Sequence, residues 1–289
     1  MRRSATLSGV EPLMPEVIEF YTTKGPCGFL TNFSPHPIVW GGRTYPTQEH
    51  LYQARKAESD GDHEAIRTAP RPRLAMENGR LMVRRRDWEW PDVWPDGAIE
   101  LVKDRVMFEG LYLKVAQNPE LREPLLATGD ALLVEQSPED DYWGIAFEKG
   151  GTGKNKLGQL WMQVRELVRQ GQDMPLPRTV YDRLVHIWAR DTGYLSDMRT
   201  DHFAHREIVG IGKRAIPWLL EDARRVSMNE KFPTLFTNAS IALSEIVPQP
   251  KGFIPPEDAG RVAKIAARWV AWGKENGYVF DRNGYIQGA

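Results

Sequence analysis

The first patterned stretch is VIEFYTT, from Val17, whose β-branched and aromatic residues predict a strand ended by a Gly-Pro-Cys-Gly turn. PIVWGGRTY follows, with Gly41-Gly42 between two short apolar runs as in a hairpin turn. Pro46 and Thr47 then open a helical stretch, TQEHLYQARKAES, in which Thr47 can cap the first turn and Leu51, Ala54 and Arg55 continue at helical spacing. Helices are predicted over 74–86, 98–117, 119–127 and 157–170, with DWEWPDVWPDG as an aromatic loop and ALLVEQ as a short buried strand. Beyond 178 nearly everything reads helical: TVYDRLVHIWAR, AIPWLLEDARRV, FTNASIALSEIV and PEDAGRVAKIAARWVAWGKENG. In the last of these Val262, Ile265, Ala266, Trp269 and Val270 form one apolar face, and Gly277 supplies a stop.

This order predicts an α+β unit, mainly helical with a small β-sheet, followed by an all-α unit. Residues 1–15 are expected to be a flexible leader and 16–170 the first domain. The segment 171–178, GQDMPLPR, has the Pro and Gly content of a linker, and 179–289 forms a helical domain. A length of 289 residues suits two domains. With 38 Lys+Arg against 39 Asp+Glu, no global positive field draws the molecule onto nucleic acid or lipid, so any polyanion site is local. The single Cys27 makes no internal disulfide. Without a signal-type apolar region or a membrane-length apolar run, a cytoplasmic protein with no membrane partner is expected.

Several chemistries are excluded. GGTGKNKLG lacks the P-loop's first glycine, where Glu148 stands, and its magnesium-binding hydroxyl, where Asn155 stands. The six histidines form no HExxH, and His202 with His205 lacks a nearby third ligand, so no metal and no cofactor are expected. There is no GxSxG elbow, and Cys27 has no evident base.

Three constellations remain. On the helix after Pro46, Glu49, Gln53 and Lys56 lie at i, i+4 and i+7, a polar stripe able to hold a sugar, or a solvated face. PRPRLAMENGRLMVRRRDW carries Arg71, Arg73, Arg80, Arg84, Arg85 and Arg86, whose forks suit phosphate oxygens, with Trp88 as a stacking surface; the alternative is a charged face with tryptophans pinning a loop. In VEQSPEDDYWG, Glu135, Glu139, Asp140 and Asp141 concentrate acid beside Tyr142 and Trp143. The next turn delivers Lys154 and Asn155 to a helix start whose N–H groups favour anions, or simply caps that helix.

Taken together, GFLTNFSPHPI, YPTQEHLYQARK, NGR, RRDW, VKDRVM, LREPLLATGD, LVEQSPEDDYWG and GTGKNKLGQLWMQVRE resemble the NADAR (YbiA-like) family over roughly 16–169. The resemblance implies hydrolysis of N-glycosidic bonds. Its members are associated with ribosylamino intermediates of riboflavin synthesis, and others with removing ADP-ribose from guanine in DNA, acting as antitoxins. It further implies Glu49, Lys56 and Asp140 as catalytic residues. Substrate contacts would come from Asn32, Phe33, Gln53, Arg80 and Trp88, and from Glu135, Tyr142, Trp143, Gly153, Lys154 and Asn155. Two departures stand out. WPDVWPDG is inserted, so Trp94 competes with Trp88 for stacking, and Ile145-Ala146-Phe147 replaces a glycine-rich run.

Those residue types fit the chemistry. Breaking a ribosyl C–N bond passes through an oxocarbenium-like ion needing a nearby negative charge, an oriented water and a clamp for the departing base. Glu49 would stabilise the cation or activate water; Lys56 would hold a ribose hydroxyl or steady the carboxylate; Asp140 would be a second acid or position water. The expected substrate is ADP-ribosylated guanine, with DNA as partner, because the arginines suit a pyrophosphate. The alternatives are riboflavin-type ribosylamino-pyrimidines and a silent reader of ADP-ribose or NAD. EIVGIGKRAIPWLLEDARR resembles one HEAT-like repeat, implying a protein partner for the helical domain. Trp188, Trp218, Trp269 and Trp272 are assigned to its core.

Overall fold

The computed structural model describes residues 16–93, 99–192, 200–228, 233–250, 252–281 and 285–286. The strands are β1 (Val17–Phe20), β2 (Ile38–Trp40), β3 (Arg43–Tyr45), β4 (Pro91–Val93), β5 (Ile99–Leu101) and β6 (Leu132–Glu135). The helices before residue 174 are α1 (Gln48–Arg55), α2 (Asp60–Arg67), α3 (Pro72–Leu81), α4 (Val102–Gln117), α5 (Arg122–Leu126) and α6 (Lys156–Gln170). Those after it are α7 (Arg178–Thr192), α8 (Phe203–Ile211), α9 (Ile216–Met228), α10 (Pro233–Ile246) and α11 (Val262–Glu275). Among the described residues no helix is long and apolar enough to cross a membrane.

The expected α+β start and all-helical end are present, with differences of detail. The β structure is not one small sheet but three two-stranded pairs: β1 with β6, β2 with β3, and β4 with β5. Gly41 and Gly42 turn the β2–β3 hairpin at φ +55° and +72°, which residues with a Cβ adopt only under strain. The helix expected over 74–86 stops at Leu81. Met82 turns extended, and Arg85 N–H donates to the Lys56 carbonyl at 2.9 Å, so the chain leaves the helix to pair beside α1. Pro91 does not leave a plain loop; it opens β4, whose partner β5 takes the first residues expected of the helix over 98–117. Trp94, of the inserted segment, lies outside the described residues. Ser59 accepts from the Asp62 N–H and caps α2, which the apolar pattern alone did not reveal.

Compactness divides the chain differently from its sequence boundaries. One unit joins the chain up to Ser34 with Asn118–Asp173; the other joins Pro35–Gln117 with Met174 onward. In the first, β1 runs parallel to β6 in the register Val17 to Leu132 and Phe20 to Glu135. Helix α6 lies against β6, where a Cβ on Gly158 would stand 2.0 Å from the Leu133 carbonyl oxygen. The fully buried Trp161 of that helix donates its indole N–H to the Leu30 carbonyl at 2.7 Å.

The second unit carries its helical core around Trp188, Leu219 and Trp269, all without solvent exposure; Trp218 is also buried and Trp272 packs against them. What ties these helices to α1 is charge. Glu207 on α8 accepts from Arg55 at 3.0 Å and 2.7 Å and pairs with Arg85 at 3.0 Å. Arg55 also donates to Glu109 at 2.7 Å, while Arg105 and Arg183 share Asp92 at 2.8 Å each. Four guanidiniums and four carboxylates, counting Asp87 beside Arg85, thus sit together with little water. Burial alone would raise the Glu207 carboxyl, but Arg55 and Arg85 outweigh it and hold it well below the usual carboxylate range.

Removing one partner of such a cluster strands buried charge. Glu207→Gln should lower unfolding free energy by about 3–5 kcal/mol in urea titrations, and a loss below about 1 kcal/mol would remove the cluster's structural role. The folded Glu207 pKa is depressed, so its stabilisation is complete above the unfolded value of about 4.3 and is lost as pH falls below it. Stability of the parent should therefore drop on acidification through that range, with a shallower slope in Glu207→Gln.

Candidate active site

Helix α1 starts where Thr47, in extended conformation, accepts the His50 N–H at 3.4 Å. The His50 ring then spans Thr47 Oγ1 at 2.8 Å and the Ala69 carbonyl at 2.9 Å. Burial lowers its pKa, so a neutral ring donating from Nε2 to Ala69 fits both contacts. All eight residues of α1 are buried, which fixes the helix on every side.

The stripe expected on this helix is present and internally bonded. Gln53 Nε2 donates to Glu49 Oε1 at 2.9 Å, and Lys56 Nζ donates to the Gly79 carbonyl at 2.8 Å, reaching Gln53 Oε1 more loosely at 3.5 Å. Glu49 is 6% exposed and Gln53 8%, so the face is not a solvated one. Gly79 makes the row possible, because a Cβ there would lie 2.2 Å from Gln53 Oε1. Burial, and then Arg84, lowers the Lys56 pKa; Glu49 opposes them and Arg80 adds to them. Carboxylate, amide, ammonium and two guanidiniums therefore share one electrostatic neighbourhood.

The arginine-rich stretch separates into different roles. Arg85 is wholly buried against Asp87 and Glu207, and Arg86 pairs with Asp191. Arg73 pairs with Glu77 at 3.1 Å and Arg84 with Glu89 at 3.4 Å, both on the surface. The side chains of Arg71 and Arg80 are exposed and make no ion pair among the described residues. Trp88 is not the open stacking plate expected: it is 2% exposed, with Tyr52 against it at 5.2 Å between ring centroids.

The remaining expected contacts lie in the other compact unit. Asn32 and Phe33 are half-buried in the turn between Thr31 and Ser34. Asp140 is exposed, and its Oδ1 accepts the Tyr142 and Trp143 N–H groups at 2.9 Å and 2.8 Å, so the carboxylate holds the turn that carries these two rings. Tyr142 and Trp143 meet edge to face at 5.1 Å, with Lys154 Nζ 4.9 Å from the Tyr142 centroid. Gly153 N–H donates to Ile145 O at 2.9 Å. Asn155, at φ +51°, accepts the Glu135 N–H at 2.9 Å and donates to the Leu133 carbonyl at 2.8 Å, stitching α6 to β6. The start of α6 does not offer its N–H groups to an anion. Those of Lys154, Asn155, Lys156 and Leu157 donate to the Asp141, Gly144, Tyr142 and Trp143 carbonyls. Burial raises the Cys27 pKa, which reduces its thiolate fraction.

A buried carboxylate is a group that hydrolysis of a glycosidic bond can use, and the comparisons place the chain in that class. Residues 19–169 match the NADAR domain model, and the chain belongs to the NADAR family. It is similar to "N-glycosidase YbiA" of Escherichia coli, 40% identical over 152 residues, 52% of this chain and 87% of the relative. An N-glycosidase of Nostoc punctiforme is 40% identical over 157 residues, 53% of this chain and 92% of the relative. "Riboflavin biosynthesis protein PYRR, chloroplastic" of Zea mays is 35% identical over 173 residues, 54% of this chain and 26% of the relative. The NMR structure of the Escherichia coli protein YbiA aligns with TM-score 0.47 and 37% identity, covering 55% of this chain and 88% of that one. This chain is a glycosyl hydrolase of the family.

Helical spacing puts Glu49, Gln53 and Lys56 on one face, and the structure bonds them in a row there. The room and the carbonyl that Gly79 gives them have no local pattern to mark them, although Gly79 stands within the NGR motif. Gly79→Ala should separate α3 from α1, costing about 1–3 kcal/mol and most of the hydrolytic rate. Parental activity in a folded Gly79→Ala protein would show that the row is not needed.

Proposed function

We propose that the protein removes an ADP-ribosyl group from the nitrogen of guanine by hydrolysis at the ribosyl anomeric carbon. The observation that supports this most is the bonded row Glu49–Gln53–Lys56 with Arg80 and Arg84 close enough to affect the Lys56 proton. In this reading the C–N bond breaks heterolytically and its electron pair leaves with the base. The Glu49 carboxylate faces the positive charge that develops on the ribose, in surroundings too dry to screen it. It then takes a proton from the water that attacks the anomeric carbon, and that proton passes on to the nitrogen of the departing guanine, so that the sugar gains OH and the base H. Gln53 fixes one carboxylate oxygen, Lys56 holds the row against Gly79, and Arg80 with Arg84 receives the pyrophosphate. DNA would be the carrier of the modified base. Asp140 enters as a residue that shapes a turn, and a direct part in proton transfer would need its carboxylate to leave two backbone donors.

A second substrate class is favoured by the name of the Zea mays relative: ribosylamino-pyrimidine intermediates of riboflavin synthesis. The same row could serve that bond, with one phosphate in place of two.

Folded Glu49→Gln protein should lose about 100- to 10,000-fold in kcat on the true substrate. Parental turnover would end the assignment. Free ADP-ribose released from ADP-ribosylated guanine DNA, with ribosylamino-pyrimidines left intact, is the expected split; the reverse pattern selects the second class. Because the Lys56 pKa is lowered, its ammonium loses the proton at a pH below the ordinary value of about 10.4. The alkaline fall of kcat/KM should therefore begin early in the parent and move to higher pH in Lys56→Arg, whose side chain keeps its charge.

A further inference from the structure

Three large apolar side chains stand in water near the row: Leu81 is 87% exposed, Val83 69% and Trp90 39%. Leu81 lies two residues past Gly79, whose carbonyl holds Lys56. Arg80 and Arg84 bracket Leu81 and Val83 in the chain, and both guanidiniums act on the Lys56 ammonium, so this segment borders the row. Arg84 meets Glu89 at 3.4 Å, and Trp90 is the next residue. It opens WPDVWPDG, the segment inserted relative to the family's pattern.

Packing explains why positions 81 and 83 face outward, but not why they are apolar. Met82 between them packs on the core, and its extended backbone sends its two neighbours to the opposite side. Polar residues would serve there equally well. One exposed apolar side chain is ordinary, whereas several at one edge, interleaved with guanidiniums, form a surface. The cations there exceed the acids: Glu89 is shared by Arg84 and by Lys103 at 2.8 Å, and Arg80 makes no ion pair among the described residues.

We infer that Leu81, Val83 and Trp90 form a platform for the adenine ring of the ADP-ribosyl group. The inference rests on the substrate proposed above, which fixes what this edge has to meet. With the ribose at Glu49 and the pyrophosphate at Arg80 and Arg84, the part left over is adenosine. Its base has two apolar faces and no charge, so it gains from covering aliphatic and aromatic side chains. A ribosylamino-pyrimidine carries no second base and has nothing to place there. The platform therefore favours ADP-ribosyl over phosphoribosyl groups, and its aromatic member comes from the insertion.

The test is calorimetric titration of the full chain, and of platform variants, with ADP-ribose and with ribose-5-phosphate. Trp90→Ala should weaken ADP-ribose at least about fivefold, while Trp90→Phe, which keeps a ring, stays close to the parent. Leu81→Ser combined with Val83→Ser should weaken it severalfold. Ribose-5-phosphate, which lacks the base, should bind all of these proteins alike. ADP-ribose bound equally by the parent, Trp90→Ala and the double variant would overturn the platform, as would an equal loss for ribose-5-phosphate. Either result leaves hydrolysis at Glu49 standing. A parent that does not bind ADP-ribose ends the proposed substrate, and the platform with it.

Discussion

Glu207 receives Arg55 and Arg85 inside the protein, and the arrangement of the second unit follows from that meeting. A guanidinium removed from water is tolerable only beside a carboxylate, and a carboxylate only among donors that fill its lone pairs. Arg55 belongs to α1, Glu109 and Arg105 to α4, Glu207 to α8, and Arg183 to α7. No one of these helices can shift without exposing an unbalanced charge to an apolar interior. A purely hydrophobic contact would let the helices slide, whereas the forked geometry of arginine on carboxylate sets their register. The family match ends at residue 169, yet Glu207 lies beyond it, so the added helices help hold the helix that the family's motif occupies.

The site inherits its order from that arrangement. Arg55 and Glu49 are on the same short helix, six residues apart in number, and the constraint on one end fixes the other. Thr47 and His50 secure its start, the charge cluster its end, and Gly79 allows α3 to press against the row between them. In the proposed reaction, a carboxylate held in this way and shielded from water would meet a developing positive charge without reorganising first. The first unit is built by a different device, in which side-chain amides and carboxylates satisfy backbone groups: Asn155 stitches a strand and Asp140 closes a turn.

What could be read from the sequence was whatever is encoded over a few residues. Gly41-Gly42 demanded a turn, Thr47 a cap, and Glu49, Gln53 and Lys56 a common face; all three stand in the structure. The ordered motifs identified the family, since their sequence and spacing need no folding to be compared. The misreadings came from long-range partners. Arg84 and Arg85 looked like the last turn of a helix, but Arg84 pairs as an isolated bridge with Ala57, 27 places earlier, and that pairing outweighs helical preference. Arg85 and Arg86 looked like phosphate ligands because Glu207, which joins the nearby Asp87 on Arg85, and Asp191, which pairs with Arg86, lie over a hundred residues away. Trp88 looked like an open surface because Tyr52, which lies against it, comes from another helix.

The claim on which the functional account rests is that the ribose is cleaved beside Glu49. A crystal structure of Glu49→Gln protein with ADP-ribose tests it most directly. The account predicts the anomeric carbon within contact distance of the side chain at position 49, with the pyrophosphate on Arg80 and Arg84. Ribose bound elsewhere, with that side chain still sealed between Gln53 and its neighbours, would contradict it.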